Sequence, residues 1–204
     1  MGLLSSSVSV TRYKVEGKPA EPVLETIADG LKKNVITEID NDIAEKSSGW
    51  TSFETPFKPD FEGSSFVVGT YLIFSMRIDK KAIPSKIIKK LCDEEIADRL
   101  AKTGREHLSR NEKQAIRENV VNSLSLRIPA TPCIYDLVWS MEEEWLWFFS
   151  NQKAANEELE TMFSKSFGLS LVRLFPYSVA DLTAGLSDAE HTLLSELSPA
   201  RFTE

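Results

Sequence analysis

The 204-residue chain has only two cysteines and two histidines, and no apolar run approaches the roughly 20 residues needed to span a bilayer. Cys92 and Cys133 stand outside any CxxC or His-containing metal spacing, which argues against a disulfide-stapled or zinc-held scaffold. His107 and His191 lie far apart, and neither belongs to a metal or nucleophile motif. Gly49, Gly63, Gly69, Gly104, Gly168 and Gly185 are scattered, so no Walker-type loop is present to cradle a phosphate. Carboxylates are plentiful, yet no pair stands out as a nuclease centre such as D…ExK. Glu16-Gly17-Lys18 echoes one only briefly. MGLLSSSVSV lacks the basic start and long apolar core of a signal peptide, and Met1-Gly2 before Ser6 fits a myristoylation pattern only superficially. These absences disfavour an enzyme, a secreted protein and a membrane protein. They lead to the expectation of a cytoplasmic chain with no cofactor, no metal and reduced thiols, Cys92 largely buried.

What is present suits a globular fold. Hydrophobic residues make up 42% of the chain, enough for a sizeable core, and 27% are charged. The length fits one domain, or one domain with a subdomain. The net charge of −7 is unevenly spread. Arg77 to Arg127 holds 13 Lys/Arg and 8 Asp/Glu, a net of +5, while the remainder carries 11 basic and 23 acidic residues, a net of −12. A solvated pair of helices is the plain explanation. An electrostatic footprint for a polyanion is the functional one.

The basic stretch reads as a helical hairpin, Ile83 to Leu126. Pro84 suits a helix's first turn, and Ile87, Ile88, Leu91, Ile96 and Leu100 form one apolar stripe. Gly104 breaks the run. Ser109 and Glu112 then form a capping box before Ile116, Val120, Val121 and Leu124. Around this hairpin, Leu4 to Val15 alternates as a strand, and Val23, Leu24, Ile27 and Leu31 mark a helix. Val35, Ile36 and Ile39 suggest a short strand, Asn41 to Ser48 a loop, and Trp50, Phe53, Phe57 and Phe61 aromatics in a proline-rich loop. That loop either covers a core edge or offers bases a stacking platform. Phe66 to Ile78 is one long interior strand, followed beyond the hairpin by strands at Cys133 to Ser140 and Trp145 to Phe149. The latter is central, or buried by a partner. Glu142, Glu143 and Glu144 make a solvated turn between them. A helix capped by Ser150 or Asn151 and stopped by Gly168 follows, then a strand from Leu169 to Phe175 ended by Pro176. Ser187 and Glu190 cap a short final helix that frays after Pro199. The fold expected is α+β: a mostly antiparallel sheet with packed helices and a projecting helical hairpin. Residues 1–82 and 128–176 form the core domain, 83–127 the hairpin subdomain and 177–204 a C-terminal helical tail.

The chain resembles the recombination-associated protein RdgC family. The likeness rests on Gly49-Trp50, Tyr71-Leu72-Ile73, Ile83-Pro84-Ser85 with Ile87 and Ile88, Arg105, Leu108, Glu112-Lys113, Glu118-Asn119-Val120 and Ser123-Leu124. It continues through Ala154-Ala155, Glu158-Leu159 and Phe167-Gly168-Leu169. Order and spacing carry it. Where the family has Leu-Pro-Arg-Ala-Phe, this chain has Leu124-Ser125-Leu126-Arg127-Ile128, keeping the Arg and losing the Pro and aromatic. Typical members are longer by a second half, so closure of a complete ring is left open. The resemblance implies a non-enzymatic, nucleoid-associated homodimer that holds double-stranded DNA in a basic channel without reading its sequence and restrains recombinase loading. Lys86, Lys89, Lys90, Arg105, Arg110, Lys113, Arg117 and Arg127 are the candidate phosphate contacts, chosen by charge and position. Arg105, Lys113 and Arg127 also match the family pattern. Two other classes remain open: a protein-interaction module that has lost DNA binding, served by the acidic remainder and the Trp145 to Phe149 strand, and a divergent nuclease.

Overall fold

A computed structural model describes residues 2–198. Among them the strands are β1 (Thr11–Glu16), β2 (Lys46–Thr51), β3 (Val67–Val68), β4 (Tyr71–Lys80), β5 (Thr131–Ser140), β6 (Trp145–Phe148) and β7 (Ser170–Leu174). The helices are α1 (Val23–Lys33), α2 (Ser85–Thr103), α3 (Arg110–Ser125), α4 (Lys153–Phe167), α5 (Pro176–Ala184) and α6 (Asp188–Glu196). The sheet runs β2-β4-β5-β6-β1-β7, with β3 also on β4, and each strand pair is antiparallel. The α+β architecture is therefore as expected.

The longest ladder pairs β4 with β5 from Tyr71 opposite Ser140 to Lys80 opposite Thr131. Alternate residues of this ladder and its neighbours, among them Leu72, Phe74, Met76, Trp139, Leu146 and Phe148, face one layer of helices. Ile27 and Leu31 of α1 and Leu159, Phe163 and Phe167 of α4 cover them. Tyr13 of β1 ends in this layer, donating from Oη to Asn156 Oδ1 at 2.6 Å and Glu160 Oε1 at 3.0 Å. Burial, with the Glu160 contact next, raises its phenol well above the usual range. On the opposite face the centre is polar: Asp136 accepts from Ser75 Oγ at 2.7 Å and Leu3 N–H at 2.8 Å, and Arg77 grips Asp79 through two bonds of 2.6 and 2.7 Å.

Several local expectations change. The first strand begins at Thr11, because Leu3 is tied to Asp136 and residues 4–10 run as turn, bend and irregular chain outside the ladder. The expected strand at Val35 to Ile39 is only a bridge from Val35 to Trp50. Phe66 to Ile78 is not one strand: at Gly69, with φ +64°, the chain turns and β3 folds back onto β4. Gly49-Trp50 is not loop but β2, which begins at Lys46 within the expected loop. There Trp50 Nε1 donates to Ser166 Oγ at 2.8 Å, and its ring packs edge-on to Phe74. Gly49 is required because residues 34–36 pass so close that an added Cβ would lie 2.3 Å from Ile36 Cα. The tail holds an unexpected helix, α5, ahead of the expected one after Ser187, and Gln152 rather than Ser150 or Asn151 precedes α4 as its N-cap. Gly168 does close α4 in the left-handed conformation, and Glu142 to Glu144 do form an exposed turn. Cys92 is half-exposed and Cys133 exposed; both are free. The expected fraying after Pro199 lies outside the described residues.

The hairpin is pinned at its base by Lys81, which is buried although charged. Its ammonium donates to the carbonyls of Asp40, Asp42 and Ser125 at 3.2, 2.7 and 2.6 Å. Ser125 ends α3, so the cation also sits at the favourable pole of that helix. Gly49→Ala should lower the unfolding free energy by about 1–3 kcal/mol, the usual size of core overpacking, since the atom it meets is backbone. Urea unfolding of the two proteins checks this, with equal midpoints as the contrary result.

Candidate nucleic-acid interface

The hairpin's two helices pack chiefly on each other. This explains why the apolar stripe read for α2 is only partly covered. Ile88 is buried, Leu91, Ile96 and Leu100 are half-buried, and Ile87 is exposed. A helix with one neighbour in the hairpin has too little cover for five apolar residues. On α3, Ile116 and Leu124 are buried, and Leu108 closes the connecting turn. Gly104 ends α2 at φ +66°, as the sequence suggests. His107 lies exposed in the turn.

The turn is built by a three-way contact. Ser109 Oγ accepts from Glu112 N–H at 3.3 Å while Glu112 Oε2 accepts from Ser109 N–H at 2.8 Å, completing the expected capping box. Arg105 Nη2 donates to the other carboxylate oxygen at 2.5 Å. The Arg105 bond first, and the Ser109 bonds next, hold the Glu112 carboxyl down at about 2. Arg105 is thus committed to the helix start.

Charge on the hairpin is sorted by side. Lys86 and Lys89 of α2 and Lys113 and Arg117 of α3 border one shallow groove, with Ser85, Cys92 and Asp93. Four cations and one carboxylate share this wall. Arg110 lies one turn before Lys113 and two before Arg117, hence on the same face of α3. The opposite groove is lined by Glu94, Glu95, Asp98, Arg99 and Arg127. Arg127, proposed as a phosphate contact from sequence, therefore stands among carboxylates. Lys90 pairs with Glu94 at 3.7 Å and Arg99 with Glu95 at 3.0 Å along α2. Of the basic residues counted in the stretch, Arg77 and Lys81 serve the buried framework. The structure thus brings together Lys86, Lys89, Lys113 and Arg117, adds Arg110 beside them, and leaves Lys90, Arg105 and Arg127 elsewhere. Sequence reading missed Ser85, at the uncapped first turn of α2, where no acidic residue opposes an anion. Pro84 before a run of lysines was the available signal.

The RdgC family model, described as "Putative exonuclease, RdgC", matches residues 9–187. The chain belongs to the RdgC family. At the level of that family it is a recombination-associated protein. Comparison with curated proteins returned no match. Among the described residues of this RdgC chain, no helix is long and apolar enough to cross a membrane. No group of three or more His, Cys, Asp or Glu side chains is gathered there as a metal site would need.

A carboxylate whose folded value lies below its unfolded one stabilises the fold above the unfolded value and loses that contribution as pH falls. For Glu112 the window runs from its ordinary 4.5 down to about 2. Wild type and Glu112→Gln should therefore differ in melting temperature at neutral pH and converge across that window. A difference that stays constant with pH would contradict the assignment.

Proposed function

We propose that this RdgC chain binds double-stranded DNA without reading its sequence, through the groove between α2 and α3. The observation that supports it is the gathering of Lys86, Lys89, Lys113 and Arg117 on one wall of a protein whose net charge is otherwise negative. Ammonium and guanidinium groups on flexible stems meet phosphates and release counterions, an interaction that fixes position but not base identity. The groove carries a single carboxylate, Asp93. Its chemistry is that of holding a backbone, so the chain binds duplex without cleaving it. Acting as a homodimer in the nucleoid, it restrains recombinase access by occupying the duplex. The family description favours a second reading, an exonuclease, which requires metal-dependent shortening of DNA.

Two measurements separate these readings. Titration of unrelated duplexes should give similar affinities that weaken steeply with salt, and a bound duplex should stay intact with magnesium or manganese. Reversing Lys86, Lys89, Lys113 and Arg117 to Glu should flatten the salt slope by about 3–4, at roughly 0.9 per phosphate contact. Reversing Arg99 and Arg127 in the opposite groove should change it little. Equal effects of the two sets would remove the groove as the binding site, and metal-dependent cleavage would favour the exonuclease.

A further inference from the structure

Trp139 carries a buried donor with no protein acceptor. Its indole is 1% exposed and packs on Phe163 and Phe167, with ring centroids 5.0 and 5.5 Å away. Nε1 finds no hydrogen-bond partner among the described residues. The equivalent donors of Trp50 and Trp145 are matched by Ser166 and Glu143. A buried N–H without an acceptor costs free energy, so native folds leave few of them.

Trp139 also lines a cavity of about 460 Å³ beside the first residue of α1. That volume lies within the range of small-molecule sites. Its inner walls are apolar: Val15 and Trp139 belong to the helix-covered layer of the sheet, and Val23 and Met141 pack against the same layer. A buried water typically makes about three hydrogen bonds, and the side chains of Val15, Val23 and Met141 offer it none. Apolar walls with one unmatched donor suit a ligand that brings its own acceptor.

The mouth adds a charge requirement. Lys18, Glu21, Glu142 and Glu144 line it, all exposed. Glu144 pairs with Lys14 at 3.7 Å, whereas Glu21 and Glu142 have no ion-pair partner among the described residues. Carboxylates outnumber Lys18 there, so the mouth attracts a cation and repels a phosphate. We propose that this cavity binds a small organic cation, with an apolar body against Val15, Val23 and Met141, an oxygen or ring-nitrogen acceptor for the Trp139 N–H, and an ammonium at Glu21 and Glu142. The site is separate from the hairpin groove, because Trp139 lies eight residues along β5 from Thr131, about 27 Å away. It therefore stands or falls independently of the DNA reading.

The test follows the indole N–H resonances of the full chain, isotope-labelled at tryptophan, as para-methoxyphenethylamine is added. Trp139 is assigned from its through-space contacts to the Phe163 and Phe167 rings. Its resonance should move downfield as the bond forms, with an affinity on the order of millimolar for a fragment of this size, while those of Trp50, Trp145 and Trp147 stay in place. Phenethylamine, which lacks the oxygen, should bind about fivefold more weakly and leave the Trp139 N–H without its downfield shift. Para-methoxyhydrocinnamate keeps the oxygen but carries a carboxylate, and it should also bind more weakly than the amine. Glu21→Lys with Glu142→Lys, both at exposed positions, should reverse the order of amine and acid. Reversal is a readout that misfolding cannot mimic. A Trp139 resonance unmoved by about 10 mM amine, well above the expected affinity, overturns the site and leaves a hydrated cavity only. Equal binding of phenethylamine overturns the role of the Trp139 donor, and an amine-to-acid order unchanged in the double variant overturns the role of the mouth. Equal shifts at all four tryptophans mean non-specific association and overturn the proposal as well.

Discussion

The ten-residue antiparallel ladder between β4 and β5 is the constraint on which the remaining structure depends. Lys80 and Thr131 are paired at one end, so everything between them must leave and return at the same point. Two helices of similar length joined by a short turn satisfy that demand, and Lys81 locks the base through three backbone carbonyls. The same ladder sets the two faces of the sheet. One row, including Phe74, Met76 and Trp139, builds the core against α1 and α4. The other begins at the exposed Tyr71 and passes through the buried polar Ser75, Arg77 and Asp79. Core, hairpin and open face are thus consequences of one register. A slip of one residue would exchange the two rows and destroy all three.

Electrostatics on this scaffold is divided by distance from water. Arg77 and Lys81 are buried and matched by specific oxygens, so they hold the frame. Arg105 and Lys90, exposed, and Arg99, half-buried, are engaged with nearby carboxylates, an arrangement worth little stability yet enough to direct each side chain. Lys86, Lys89, Lys113 and Arg117 remain on one wall. A count along the chain sums all these classes into a net of +5. Only their placement separates framework cations from those available to a ligand.

Much of the local structure was legible in the sequence because its causes are local. The Ser109 and Glu112 capping box needs only residues three apart, and Gly104 and Gly168 end helices where a left-handed residue is required. The Ser187 and Glu190 box likewise marks the start of α6. Legibility failed where a distant segment intervened. Gly49-Trp50 reads as a loop beside prolines, yet it is a strand because residues 34–36 and β4 approach it from two sides. Leu4 to Val10 alternates like a strand but finds no partner, since Asp136 diverts the chain.

The sequence by itself determined the mixed α and β character, the hairpin with its turn, and the excess of positive charge between Arg77 and Arg127. Helical period, caps and charge counts act over a few residues and need no knowledge of neighbours. Tertiary structure alone decided which of those charges face together, why α2 is half-covered, and that Trp147 of the central strand β6 remains exposed with Trp145 half-buried beside it. Each of those outcomes depends on which elements are adjacent in space. Adjacency follows from pairing strands that lie more than fifty residues apart, and no local pattern specifies it.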